Sequence, residues 1–315
     1  MITIIQPGAF TTVQDEGRWG YQAYGLPIAG VMDRYAARMA NLLAGNRPEA
    51  AVLEMTAAGA AFKFDEEQLI AVCGADMQGL LKDAKLENWT SFFVPKGGEV
   101  RFSGVLNGYR TYLAVRGGFD VPPVLGSRST YTRAKIGGHE GRSLRPGDVL
   151  YVGADFQTPA IPRRLALPYS RRYSNEITLS VMLGPQADMF APGTLETFFQ
   201  QAYKVTPKAD RIGYGLQGPK LKALDKVDII SDAMCQGAIE IVANGMPFIM
   251  TADHQTTGGF AKLGSVFWAD LPVLAQAKPG DVIRFVKMDE QAALAALRLE
   301  NICYEHFAEL CLSAG

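Results

Sequence analysis

The chain has 315 residues, 48% of them hydrophobic and 20% charged, with a formal net charge of -1. That length accommodates two domains with separate cores, and the near-neutral balance carries no electrostatic footprint for nucleic acid or an anionic membrane. No apolar run reaches the length of a membrane span, and Met1-Ile2-Thr3-Ile4-Ile5-Gln6-Pro7 lacks the basic start of a secretory signal, so the cytoplasm is the expected compartment.

The first segment with chemical character is Thr11-Thr12-Val13-Gln14-Asp15-Glu16-Gly17-Arg18-Trp19-Gly20-Tyr21. Gln14 and Asp15 supply an amide and a carboxylate able to orient an amide substrate or take a proton. Arg18, set among glycines, can clamp a carboxylate or phosphate in bidentate fashion, or form a salt bridge at a strand end. Asp33 is placed to cap a helix that carries Ala36, Met39, Ala40 and Leu43 on one face, with Gly45 ending it.

Further along, Arg110-Thr111-Tyr112-Leu113-Ala114-Val115 and Val149-Leu150-Tyr151-Val152 are short alternating or β-branched runs, a pattern that fits closed or nearly closed barrels. Arg116-Gly117-Gly118 follows the first of these and offers a second arginine beside glycines. Ser127 to Thr130 and Gly137 to Arg142 read either as an anion-binding nest or as solvent-facing hairpin turns. From Gln157 to Arg172 three prolines and four arginines disfavour regular structure, and residues 161–172 are assigned as a linker.

Pro192 to Tyr203 predicts a helix with Leu195, Phe198, Phe199 and Ala202 at helical spacing. Arg211 then repeats the arginine-near-glycine pattern. The apolar run Pro247-Phe248-Ile249-Met250 predicts a buried strand that opens into Asp253-His254-Gln255-Thr256-Thr257-Gly258-Gly259-Phe260. Two glycines there allow close approach of a ligand or second chain, and the side chains of Asp253, His254 and the threonines offer donors and acceptors. A polar turn joining two strands is the alternative. His254 titrates near neutrality and is suited either to moving a proton or to a polar structural contact. A last helix is expected from about Asp289 to Leu312, packing Leu294, Leu297, Ile302 and Phe307 on the second barrel.

Segments of the two halves recur in the same order. Arg18-Trp19-Gly20-Tyr21, Gly59 to Phe64, Leu69 to Asp76 and Pro95 to Phe102 are answered by Arg211-Ile212-Gly213-Tyr214, Gly237 to Val242, Phe248 to Asp253 and Pro279 to Phe285. This internal duplication predicts two related β domains, residues 1–160 and 173–288, joined by the linker and followed by a C-terminal helix at 289–315. The repeat matches Arg18 to Arg211 and Asp76 to Asp253.

Several chemistries are excluded by pattern. Walker A, Gly-x-Gly-x-x-Gly after a strand, His-Glu-x-x-His and Gly-x-Ser-x-Gly are all missing. The three histidines are far apart and the four cysteines, at 73, 235, 303 and 311, lack paired metal spacing, so no metal is expected and the thiols read as reduced packing groups. Val286-Lys287-Met288 lacks the methionine that a biotin-attachment sequence places before its lysine; if biotin is used, another chain carries it.

With Gly25-Leu26-Pro27, Gly30 to Asp33, Ala40 to Asn46 and Val115 to Ser127, these segments resemble the family of the 5-oxoprolinase C subunit, also known as allophanate-hydrolase-subunit-2-like or biotin-dependent-carboxyltransferase-like. The resemblance runs from about Ile4 to Phe285. It implies a mainly β fold of two cyclophilin-like barrels with a few helices. It also implies membership of an ATP-dependent complex that converts 5-oxo-L-proline, ATP and water to L-glutamate, the chain being inactive alone. ATP would be bound by the complex, and this chain would complete a composite site with the B-type 5-oxoprolinase protein while the A-type protein finishes hydrolysis. The alternatives it implies are one half of a biotin-dependent carboxyltransferase that acts on urea or a related amide, and a non-catalytic regulator binding a kinase-inhibitor protein. The Gln-Thr-Thr-Gly-Gly form of the loop favours the 5-oxoprolinase branch. Departures from the family pattern are Ala209-Asp210 before Arg211, where relatives often have Ser-Asn, and Phe260 in place of tyrosine; position 254 varies. The resulting candidates are Asp15, Asp253 and His254 for catalysis. For binding a small lactam or amide they are Gln14, Arg18, Arg116, Gly117, Gly118, Arg211, Gln255, Thr256, Thr257, Gly258 and Gly259.

Overall fold

A computed structural model of the chain describes residues 1–165 and 169–313, apart from the side chains at 300, 303 and 310–313. It is mainly β and divides into two compact units. The first comprises Met1–Arg18, Ala29–Tyr173 and the chain from Tyr304 on; the second comprises Trp19–Ile28 and Ser174–Cys303.

Eleven strands and one long helix build the first unit: β1 (Ile2–Gln6), β2 (Phe10–Gln14), α1 (Arg34–Ala44), β3 (Val52–Thr56), β4 (Ala61–Phe64), β5 (Gln68–Asp76), β6 (Leu80–Leu81), β7 (Ala84–Lys85), β8 (Thr90–Val94), β9 (Glu99–Arg101), β10 (Asn107–Val115) and β11 (Val149–Leu150). They form a six-stranded sheet in the order β11-β1-β4-β9-β6-β7 and a five-stranded sheet in the order β2-β3-β10-β5-β8. The period of two in β5 and β10 explains how the sheets stack. Ile70, Val72, Leu113 and Val115 point into a core shared with Ile2, Ile4, Phe62 and Phe64 of the other sheet. Their alternates Ala71, Cys73, Tyr112 and Ala114 face Ala36, Met39, Ala40 and Leu43 of α1. As expected, the Asp33 carboxylate caps α1 by accepting the Ala36 N–H, and Gly45 ends it at φ 81°.

Phe307 departs from expectation. It lies in the α1 core of the first unit, its ring 5.7 Å from that of Tyr169, whereas Leu294 and Ile302 are exposed. The small side chains of α1 leave room that an aromatic ring fills, and a helix pattern read alone does not reveal that space. Part of the expected linker is also paired: Arg164 bridges Thr90, and Leu165 N–H donates to the Trp89 carbonyl. Residues 166–168 of that linker, and the thiols of Cys303 and Cys311, lie outside the described residues. Cys73 is buried and Cys235 exposed, both as free thiols.

In the second unit the elements are β12 (Glu176–Leu183), α2 (Pro192–Gln200), β13 (Ala202–Ala209), β14 (Gly213–Gln217), β15 (Asp228–Ala233), β16 (Ala238–Ile241), β17 (Pro247–Met250), β18 (Thr257–Phe260), β19 (Lys262–Val266), α3 (Leu271–Leu274), β20 (Val282–Lys287) and the first part of α4, a helix that runs Glu290–Ser313 and belongs to the first unit from Tyr304 on. Seven strands close a barrel in the order β12-β19-β16-β17-β14-β13-β20. Parallel pairing of β12 with β20 makes the closure. β15 and β18 form a separate two-stranded ribbon. The α2 helix stops at Gln200, short of the predicted end, because Ala202 begins strand pairing with Arg284. Its one buried residue, Phe198, stacks on Phe285 at 4.3 Å between ring centroids. Among the described residues no helix is long and apolar enough to cross a membrane.

Candidate functional site

In the first unit the polar residues of the Gln14 to Arg18 segment are engaged in holding loops. Asp15 Oδ1 accepts from the hydroxyls of Ser127 and Ser129, both at 2.6 Å, and from the Gly17 N–H at 2.9 Å. Its Oδ2 accepts the Arg128 N–H at 2.5 Å. The carboxylate therefore acts as a staple for the Ser127–Ser129 loop. Arg18 is buried and donates to two backbone carbonyls, from Nε to Val124 at 3.1 Å and from Nη2 to Ser129 at 2.7 Å. Gln14 is equally buried, its amide nitrogen donating to Thr12 Oγ1 and the Thr130 carbonyl.

The anticipated anion nest is occupied by the protein itself. The N–H groups of Ser129, Thr130, Gly138, Gly141 and Arg142 donate to Ser127 Oγ and to the carbonyls of Val13, Arg128, Gly137 and His139 respectively. An anion at this loop would have to displace these bonds; nor do the turns face solvent, since Ser127, Ser129, Thr130, Gly137 and Gly138 are buried.

Arg116 lines a cleft of about 400 Å³ together with Gln68, Tyr151 and Phe156. Its guanidinium stacks 3.9 Å above the Phe156 ring, and Nη1 donates to the Thr158 carbonyl. Burial, then the nearby Arg163 charge, lowers its pKa. Gly117 follows at φ 95°, and a Cβ there would lie 1.9 Å from the Gly153 carbonyl oxygen. Only glycine satisfies both conditions. The Gly117 N–H is taken by Asn46 Oδ1, and Gly118 also has positive φ.

In the second unit Arg211 and the loop that follows β17 converge. Arg211 grips Asp253 with two bonds, Nη2 to Oδ1 at 2.8 Å and Nε to Oδ2 at 3.1 Å. The backbone reinforces this pair: the Asp253 N–H and the Thr251 hydroxyl both donate to the Arg211 carbonyl. Asp210, one of the departures from the family pattern, accepts the N–H groups of Ile212 and Gly213 and closes the turn. Arg18 and Arg211, matched in the sequence repeat, are thus held by different chemistry, carbonyls in one case and a carboxylate in the other. Asp76 caps the Gln78 N–H.

His254 is buried, and its Nδ1 lies 2.6 Å from the Gln255 carbonyl oxygen. A carbonyl only accepts, so this contact assigns the proton of the neutral ring to Nδ1 and leaves a lone pair on Nε2. Nε2 is buried and makes no hydrogen bond. Burial lowers the pKa of the ring, against the opposing influences of the Gln255 carbonyl and the Asp253 charge. The arrangement is that of a neutral base with an open acceptor. Gln255 and Thr257 are exposed, and Thr257 to Phe260 form the ribbon strand β18.

Two residues beside this loop escaped sequence reasoning. Glu240 and Lys262 are both buried and stand opposite each other on β16 and β19. Their signal was available: each is a lone charge inside an apolar run, Ala238-Ile239-Glu240-Ile241-Val242 and Phe260-Ala261-Lys262-Leu263. Buried charges are rare unless paired.

A family model described as the carboxyltransferase domain, subdomain A and B, matches residues 24–287. The chain is 33% identical over 314 residues to the 5-oxoprolinase C subunit of Escherichia coli, spanning 98% of both chains. To the protein of the same name from Haemophilus influenzae it is 31% identical over 96% of both. Urea amidolyase of Lachancea kluyveri is 36% identical over 92% of this chain, which spans 17% of that enzyme. Among solved structures, K. lactis urea amidolyase superposes with a TM-score of 0.88 at 32% identity, covering 97% of this chain and 20% of the other.

Proposed function

Because the chain belongs to the carboxyltransferase-domain family, and within it to the family of the 5-oxoprolinase C subunit, we propose that it is the C component of an ATP-dependent 5-oxoprolinase complex. The observation that carries this reading is that, at 33% identity, the chain accounts for 98% of the Escherichia coli 5-oxoprolinase C subunit. The reaction opens the lactam of 5-oxo-L-proline to L-glutamate, a ring amide too unreactive to hydrolyse without activation. ATP, held by the complex, supplies that activation by phosphorylating the lactam carbonyl oxygen. We assign its binding to a partner protein, since the loop amides of Ser129, Thr130, Gly138 and Gly141 are spent on internal bonds.

The part given to this chain follows from its residues. His254 Nε2 accepts a proton, held in place by the Nδ1–H bond to Gln255. Asp253 is fixed beside it by Arg211. The Gln255 to Gly259 segment, exposed at Gln255 and Thr257, contacts the substrate together with residues of the B-type partner, and its backbone N–H groups are suited to a developing oxyanion. In the first unit Asp15, Gln14 and Arg18 shape the Ser127–Thr130 loop, and Arg116, followed by the Gly117-Gly118 turn, forms part of the wall of the cleft near Gln68.

The test is reconstitution. The purified chain alone should give no 5-oxoproline-dependent ADP or glutamate, and adding the A-type and B-type 5-oxoprolinase proteins should restore both. Turnover by the lone chain overturns the division of labour. A second reading, a carboxyltransferase acting on urea or a related amide with biotin on another chain, draws support from the 0.88 TM-score to K. lactis urea amidolyase. Carboxylation of urea in the presence of a biotinylated partner, with no glutamate formed, would favour it.

A further inference from the structure

The ribbon that carries Thr257 to Phe260 is tied to the barrel by one buried charge on each strand. Lys262 of β19 donates through Nζ to Asp232 Oδ2 at 2.6 Å and to the Ala233 carbonyl at 3.0 Å, fastening β15. Glu240 of β16 accepts the backbone N–H of Phe260, fastening β18. The ribbon's own register, Asp232 opposite Gly258 and Ala233 opposite Thr257, brings the two anchors level. Glu240 is 3% exposed, and its Oε1 is buried without a hydrogen-bond partner.

Gly258 is the point of closest approach. A Cβ there would lie 2.2 Å from Glu240 Oε1 and 2.3 Å from Met234 Cε, so the ends of both side chains would have to move to admit it. Gly259, by contrast, meets nothing nearer than 3.8 Å. A side chain at the first glycine of the pair would therefore displace Glu240 and Met234 from their present positions, whereas the second glycine faces open space.

We infer that Glu240 is a positioning residue for the Thr256–Gly259 segment, setting the height and register at which that segment meets its ligand. A lone carboxyl placed in an otherwise apolar strand is costly to keep buried, and here it meets the one strand that carries the loop motif. Burial also pushes its pKa up, and a carboxamide keeps the shape of the group and an oxygen acceptor. As far as activity is concerned, the inference rests on the 5-oxoprolinase reading.

Three variants of the full chain test it: Glu240→Ala, Glu240→Gln and Gly258→Ala. Amide hydrogen exchange in the isolated chain should accelerate by about tenfold over residues 256–261 in Glu240→Ala and Gly258→Ala, while Ile239 and Ile249 stay protected. Glu240→Gln, which keeps an oxygen acceptor for Phe260, should stay within about twofold of the parent. In the reconstituted complex Glu240→Ala should lower kcat by about tenfold or more with KM changed less, and Glu240→Gln should restore it. Unchanged exchange at 256–261 in Glu240→Ala overturns the inference, as does faster exchange spread evenly over the barrel, or a Gln variant as damaged as the Ala variant. A parent complex without 5-oxoproline turnover would count against the proposed function, and the exchange comparison would still decide the role of Glu240.

Discussion

Arg211 holds both carboxylate oxygens of Asp253 across 42 residues of sequence, with each side chain only 7% exposed. Two charges removed from water in this way depend on each other, because each supplies compensation for the other's charge. Arg211→Met or Asp253→Asn should each cost about 3–5 kcal/mol in urea unfolding, and the double variant less than the sum. Single-variant losses below about 1 kcal/mol would show the pair to be solvated.

His254 should titrate below its ordinary 6.5 in NMR of the isolated chain, because burial disfavours the imidazolium. With the folded pKa depressed, the contribution of this group to stability is complete above the unfolded pKa and is lost as pH falls toward the folded value. Activity of the complex should fall on the same acid side, since the proton acceptor is the neutral ring. His254→Gln should reduce kcat by about 10²–10⁴ with little change in Tm. A His254 pKa above 6.5 would contradict the buried, Nδ1–H assignment.

Asp148 shows the same acid-side loss in the first unit, here because the charged form is the favoured one. The bond from Arg142 is the main reason its pKa falls to about 2, helped by the Arg145 N–H and by His139. Its folded pKa lies below the unfolded one, so its stabilisation is present above about pH 4 and disappears as pH falls toward 2. Asp148→Asn should lower stability at pH 7 by on the order of 2 kcal/mol. The parent and the variant should converge in stability near pH 2. Equal stability at pH 7 would refute this.

Glycine replacements separate conformation from collision. Gly97 has φ 74°, and a Cβ added there would meet nothing within 4 Å, so Gly97→Ala should cost only the left-handed penalty of about 1–2 kcal/mol. Gly117 has φ 95° and would also drive its Cβ to 1.9 Å from the Gly153 carbonyl oxygen. Gly117→Ala should therefore lower Tm well beyond Gly97→Ala; equal shifts would mean that the Gly117 turn relaxes freely.

What the sequence determined on its own was local. Asp33 reaches an N–H three residues on and Gly45 supplies the left-handed turn at the other end, so the span of α1 is written in contiguous residues. The alternation in β5 and β10 likewise specifies two buried faces, and the loop opening after β17 is legible from an apolar run followed by polar residues and glycines. Tertiary structure decided what those polar groups do. Asp15 finds Ser127 at a separation of 112 residues, which gives that carboxylate a loop to hold. Phe307 finds the α1 core, and the Phe260 N–H finds Glu240. Hydrogen bonding and close packing act over a few ångströms in space, whatever the separation along the chain, and only the folded chain brings these partners within that range.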